Sequence, residues 1–307
     1  MHRYVLSRLV YAVLVVFGVS LLVFVLTRFI GNPVDVMLPI EASQSEKAQL
    51  THQLGLDKPV WQQAAGFFGG ALRGDFGISW WQRQPALPLA IERLPATLKL
   101  VFASFIAAIL VGVPLDVLAA TTPGSLLDGF CSTLALLGVS LPAFWLGLML
   151  ILNFAVRLGW FATSGYGGFR YLTLPAVTLG ALTLGRITQI VRTAMLDQLH
   201  QQYVVTARAK GLVERIVVLR HALKNASIPI VTMSGWELGR MLAGYTVVVE
   251  VVFGWPGQGH LIVDTIGAQD FPLLQALVFV VAVTVSAVNL VIDLAYPFFD
   301  PRIKFAK

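Results

Sequence analysis

The sequence predicts an all-α integral membrane protein, and three observations carry that expectation. Hydrophobic residues fill 57% of the 307 positions and charged residues only 12%, against roughly 45–50% and about 25% in soluble globular chains. Mean hydropathy is +0.77. Apolar runs near the ~20 residues that a bilayer-crossing helix needs recur along the chain. This pattern excludes a disordered, collagenous or ordinary cytosolic protein. A lone cysteine, Cys131, excludes an internal disulfide and a cysteine-based zinc or iron–sulfur site.

The first span is expected over about 9–28, in the charge-free run between Arg8 and Arg28. The run follows a basic start, yet it exceeds the roughly 7–15 residues of a signal-peptide core and no A-x-A-like site follows, so it reads as a retained span. A second span at 98–120 carries Lys99 and Asp116 near its ends, and a third at 131–156 has no interior charge. The fourth, 172–192, is interrupted by Arg186, and the fifth, 228–252, holds Glu237, Arg240 and Glu250. The sixth, 272–296, is free of charge up to Asp293. An outer loop at 31–97 and an inner loop at 193–227 are the long connections, and the whole chain, 1–307, reads as one transmembrane domain without internal repeats.

Lys and Arg in short loops set orientation. The 192–227 stretch holds Arg192, Arg208, Lys210, Arg215, Arg220 and Lys224; the tail adds Arg302, Lys304 and Lys307, and the start adds Arg3 and Arg8. Segment 253–271, on the opposite face, has no Lys or Arg. Both termini and the inner loop are therefore expected in the cytoplasm. Two regions fit less well: loop 121–130 has no basic residue, and the outer loop has Lys47, Lys58, Arg73, Arg83 and Arg93. Its length puts it where the rule weakens. The net charge of +6 is thus read as topology, and nucleic acid is not an expected partner.

Chemistry-bearing motifs are absent. There is no phosphate-binding G-x-x-x-x-G-K-[ST] loop, no H-E-x-x-H and no G-x-S-x-G, and the five histidines are dispersed. His260 is the one histidine with a case for lying near a solute; a solvated loop histidine is the bland alternative. Segment 203–225 is more informative. Leu212, Ile216, Leu219 and Leu223 recur at helical spacing, and Arg215, Arg220 and Lys224 lie off that stripe. Gly211 separates two helical patterns, as glycine does where a helix ends in the left-handed region. The result is a basic, amphipathic helix–Gly–helix elbow between two spans. It reads either as a surface helix on the headgroups or as a docking element for a cytoplasmic partner.

The residues of this elbow, YVVTARAKGL at 203–212 and HALKNASIP at 221–229, resemble the cytoplasmic signature of binding-protein-dependent ABC importer permeases, in the oligopeptide, dipeptide and nickel branch. The general signature opens Glu-Ala-Ala, with a glycine six residues after the Glu. Here the glycine is Gly211, while Val205 and Thr206 replace the first two positions and Lys224 stands where a proline is usual. LGLDKP, GDFGIS, RLPATLKL, GVSLPAFWLGL, LGWFATSGYGG, LPAVTLG, VVVEVVFGWPGQGHLIVDTI, DFPLLQA and DPRIKF extend the similarity, in order, over nearly the whole chain. The resemblance implies the six-helix type I ABC importer permease fold in a bacterial inner membrane. It implies a second homologous permease, two cytoplasmic ATPase subunits and a periplasmic or lipid-anchored solute-binding protein. ATP and magnesium would reside on the ATPases; this chain would bind no cofactor or metal and catalyse nothing itself. Ala207, Arg208, Ala209, Lys210, Gly211, Leu212, Glu214 and Arg215 would sit in the ATPase groove.

A polar pathway follows from the cost of intramembrane charge. Arg186, Gln189 and Arg192 share a helix side, Glu237 and Arg240 are spaced to pair, and Asn289 and Asp293 are one turn apart. Each set reads either as pathway lining or as a structural pair. Trp61, Trp80 and Trp81 make the outer loop a candidate scoop for the binding protein. A short peptide and nickel, free or chelated, are both solutes of this branch, and no Cys or His cluster supports bare metal. A proton-coupled secondary transporter or channel is the alternative, with Glu237 as its one central acid. A membrane-embedded enzyme lacks a catalytic constellation.

Overall fold

The computed structural model describes residues 2–27, 34, 37, 38 and 42–299. Arg28, Arg302, Lys304, Lys307 and the closing DPRIKF motif lie outside the described residues. The described chain is helical, with one isolated antiparallel bridge between Ile78 and Pro85. We label the helices α1 (His2–Leu26), α2 (Gln44–Gln53), α3 (Val60–Ala71), α4 (Ala86–Thr121), α5 (Leu126–Ser140) and α6 (Ala143–Leu150). There follow α7 (Phe169–Leu199), α8 (Gln202–Ala209), α9, α10 (Gln258–Gly267) and α11 (Phe271–Phe299). Helix α6 runs on into a π-helical segment, Ile151–Arg157. Helix α9 is unbroken from Glu214 to Val252, with π segments at Val217–Ala222 and Met241–Tyr245.

Among the described residues, four helices are long and apolar enough to cross a membrane: Val5–Leu26, Ala86–Thr121, Phe169–Leu199 and Phe271–Leu294. A fifth candidate is the pair Leu126–Ser140 and Ala143–Arg157, bent by 107°. The expected third span at 131–156 is therefore not one straight helix. Pro142 disfavours helical geometry at Leu141, which adopts φ −79°, ψ 129°. Segment 228–252 is helical throughout but is not among the helices that pass by length and composition.

The outer-loop segment folds into short helices, α2 and α3, and α4 starts at Ala86, well before Leu98. Ser43 caps α2 with a reciprocal box: its hydroxyl accepts from the Glu46 amide, and the Glu46 carboxylate accepts from the Ser43 amide. Asp270 joins this region to the last helix. Its carboxylate accepts from the Ser79 hydroxyl, from the Trp81 amide at 3.1 Å and from the Leu273 amide at 3.2 Å. Trp80 packs on Phe271, whereas Trp61 and Trp81 stay exposed.

Three apolar cores stack along the bundle. One joins Phe76, Leu89, Leu261, Leu273 and Leu277 under the 42–85 segment. A central core holds Leu100, Leu179, Met241, Phe253 and Trp255. The third, at the far end, holds Val117, Ile187, Val191, Met195 and Val218. Helices α5 and α7 meet backbone to backbone. A Cβ at Gly138 would lie 2.4 Å from the Ala181 carbonyl oxygen, and one at Gly185 would lie 2.5 Å from that of Ala135. Such small-residue contact suits a membrane bundle, where helices associate by close packing.

Candidate functional site

The elbow is built by a helix stop and a helix start within four residues. Helix α8 ends in a Schellman turn: Gly211 has φ +76°, its amide donates to the Arg208 carbonyl at 2.9 Å, and the Leu212 amide donates to the Ala207 carbonyl at 3.4 Å. Val213 is extended (φ −61°, ψ 135°), and α9 starts at Glu214. Arg208 and Glu214 form a two-pronged ion pair across the turn, with N···O distances of 2.6 and 3.1 Å. The Arg208 hydrogen bonds hold the Glu214 carboxyl below its ordinary pKa, and Glu214 holds the guanidinium of Arg208 above its own. Both side chains are about half exposed (44% and 54%), so the pair contributes little to stability, about 0–1 kcal/mol, and acts as a geometric brace.

The expected stripe of Leu212, Ile216, Leu219 and Leu223 does not form one helix face turned to the core. Leu212 precedes α9, and the π segment Val217–Ala222 shifts the register after it. Val217, Val218, Ala222 and Ala226 are buried instead. Val217 packs with Val204 and Ala207 of α8, which locks the two arms of the elbow together. Leu212, Val213, Ile216 and Leu219 are left exposed at 39%, 67%, 43% and 47%. Ala209, Lys210 and Arg215 share this exposed surface, while Ala207 is buried.

The polar residues expected along the pathway separate into distinct sets. Arg186 Nη1 donates to Glu237 Oε1 at 2.9 Å, and Arg240 Nη1 donates to the same oxygen at 3.2 Å. The expected Glu237–Arg240 pair is thus a triad. Gln189 is exposed and makes no part of it. Arg192, one further turn along α7, instead grips Asp128 with two bonds of 2.8 and 3.1 Å, joining α7 to the start of α5. Asp293 pairs with Arg8 at 3.2 Å. Asn289 packs against Gly239, where an added Cβ would lie 3.1 Å from its Oδ1.

Glu250, fully buried, stands in the sequence only as a lone acid in an apolar run. Its carboxylate accepts from the Thr97 hydroxyl at 2.6 Å and the His260 amide at 3.1 Å. Gly257 makes room for it: a Cβ there would come within 2.1 Å of Oε1. The G-x-G spacing at 257–259, after a lone acid in an apolar run, was the available signal. Trp255 completes the knot by donating from Nε1 to the Ala96 carbonyl at 2.9 Å. His260 belongs to this knot, with its ring Nδ1 3.2 Å from the Trp255 carbonyl and Nε2 3.8 Å from Asp264. Among the described residues no group of three or more His, Cys, Asp or Glu is placed to hold a metal ion.

The arrangement suits a transport component: a braced elbow with an exposed apolar tip, continuous with a helix that carries charges into the bundle. The chain matches the family model for the binding-protein-dependent transport system inner membrane component over residues 112–305. It is also similar over nearly its full length to the glutathione transport system permease protein GsiC of Escherichia coli K12, of Escherichia coli O1:K1 and of Shigella dysenteriae serotype 1. Each is 37% identical over 306 residues, covering 99% of this chain and 100% of the relative. The chain therefore belongs to the inner-membrane components of binding-protein-dependent transport systems, as a multi-pass permease subunit of a bacterial ABC importer.

Proposed function

We propose that the chain is one of two homologous permeases in an importer that carries a short peptide delivered by an extracytoplasmic binding protein. Two partner ATPases, holding ATP and magnesium, drive it; this chain binds no cofactor and touches lipid but no nucleic acid. The domain is one bundle over 1–307, with six spans near 9–28, 98–120, 131–156, 172–192, 228–252 and 272–296 and both termini in the cytoplasm. The outer region 31–97 faces the binding protein, and 193–227 is the coupling loop. The observation that carries the reading is the elbow at 207–215. Its two arms are locked by Val204, Ala207 and Val217, and its exposed tip is continuous through α9 with Glu237 and Arg240. A push on Ala207, Arg208, Ala209, Lys210, Gly211, Leu212, Glu214 or Arg215 would thus reach the bundle as a rigid movement. Arg186, Gln189, Glu237, Arg240, Asn289 and Asp293 are the proposed pathway residues.

Two features support the finer points. The relatives named for glutathione transport favour a small peptide over nickel. The Arg8–Asp293 pair ties the start of α1 to the later part of α11, which supports placing both termini on one side. Glu237, the acid on which a proton-coupled alternative depends, is instead engaged in an ion-pair cluster with two guanidiniums.

Labelling tests the topology. Gln44 and Gln201 are exposed, and Cys131 is buried. In a Cys131→Ser background, Gln44→Cys is expected to react with an impermeant maleimide in intact cells, and Gln201→Cys only after the membrane is opened. The reverse pattern would put the elbow outside and end the coupling argument.

A further inference from the structure

The Arg186–Glu237–Arg240 triad is not electrically balanced. Two guanidiniums face one carboxylate, and both use the same oxygen, Oε1. The other oxygen, Oε2, is buried without a hydrogen-bond partner among the described residues. The triad therefore carries one surplus positive charge within the proposed fifth span. That surplus lies on the more open partner, since the Arg240 side chain is 43% exposed against 25% for Arg186. Of the five N–H donors of a guanidinium, only Nη1 of Arg240 makes a hydrogen bond among the described residues. Arg186 is further occupied by the Tyr245 ring, 5.3 Å from its Cζ.

An exposed arginine at membrane depth faces water or protein, because contact with hydrocarbon is costly. Trp236 lies beside it, 61% exposed and with its ring 5.9 Å from Arg240 Cζ. Arg240 also directly precedes the π segment Met241–Tyr245, an irregularity that recurs at functional sites. A planar fork with uncommitted donors is suited to carboxylate, which it binds through two parallel bonds, and it repels a bare divalent cation.

We propose that Arg240, braced by Glu237, is a transit site for the carboxylate of the passing solute, so that this permease itself selects peptides with a free C-terminal carboxylate. The proposal rests on the permease reading and adds a selectivity in the permease to whatever the binding protein selects. Its test is uptake into vesicles holding the complete transporter, with one binding protein throughout. The probes are trialanine and trialanine C-terminal amide. Wild type is expected to favour the free acid at least about tenfold, and Arg240→Gln to lose most of that preference, in keeping with the loss of a charge-assisted bond. Arg240→Lys keeps the charge but not the fork and should fall between them; it is scored in the same way if Arg240→Gln fails to assemble.

An unchanged preference in both variants would assign selectivity to the binding protein and overturn the inference. So would an equal fall for both probes in an assembled complex, which would make Arg240 structural. Wild type that takes up neither probe or shows no preference would also overturn it. Stimulated ATP turnover, measured in the same vesicles, shows separately whether the permease reading survives.

Discussion

Glu237→Gln is expected to cost the fold about 3–5 kcal/mol, because it strands charges that the carboxylate now neutralises. That is a large share of a native stability of roughly 5–15 kcal/mol. The Glu237 side chain is only 4% exposed, and two guanidiniums converge on it at 2.9 and 3.2 Å. Loss of the carboxylate charge leaves Arg186 and Arg240 repelling each other across a neutral amide. The measure is the yield of monodisperse protein after detergent extraction. Adding Arg240→Gln restores only part of the loss, since Arg186 is the more enclosed partner and stays unpaired. Adding Arg186→Gln restores more. Wild-type yield from Glu237→Gln alone would mean that water already reaches the triad freely.

Gly211→Val is expected to leave membrane insertion intact and to abolish most of the ATP turnover that solute-loaded binding protein stimulates. The glycine sits at φ +76° with nothing within 4 Å of where a Cβ would stand, so the effect is one of backbone conformation and not of collision. A left-handed conformation costs an L-residue roughly 1–2 kcal/mol, and more for a β-branched one. At about 1.4 kcal/mol per tenfold, that suffices to move most molecules out of the Schellman turn. The Arg208–Glu214 brace would then be lost with the turn that sets its spacing. Gly211→Asn is the control, since asparagine tolerates this region, and it should keep most of the turnover. Full stimulated turnover in Gly211→Val would make the segment a passive surface helix.

The parts of this molecule that local patterns encode were legible in the sequence. Long charge-free runs marked the helices that became α1, α4 and α11, and Gly211 marked the end of α8. The i, i+3 spacing of Glu237 and Arg240 was visible too, but Arg186 is 51 positions from Glu237, and no local pattern links them. Asp128 and Arg192 are separated in the same way, by 64 positions. The bend at Leu141–Pro142 was missed although its signal was present, because a charge-free run says nothing of direction and the proline does. The stripe fails because Leu212 precedes α9 and Leu219 lies in the π segment Val217–Ala222, which widens the helical turn without any composition cue. Glu250 was missed because its partners, Thr97 and the His260 amide, come from other elements.

The proposed function requires the elbow to seat on an ATPase partner. Lys210, exposed beside Gly211 at the tip, offers the most direct test. In the assembled transporter, Lys210→Cys in a Cys131→Ser background is expected to cross-link to the ATPase subunit through a short bifunctional thiol–amine reagent. Assembly should also slow its labelling by maleimide. A cysteine that labels at the same rate with and without the ATPase, and yields no cross-link in an assembled complex, would contradict the account.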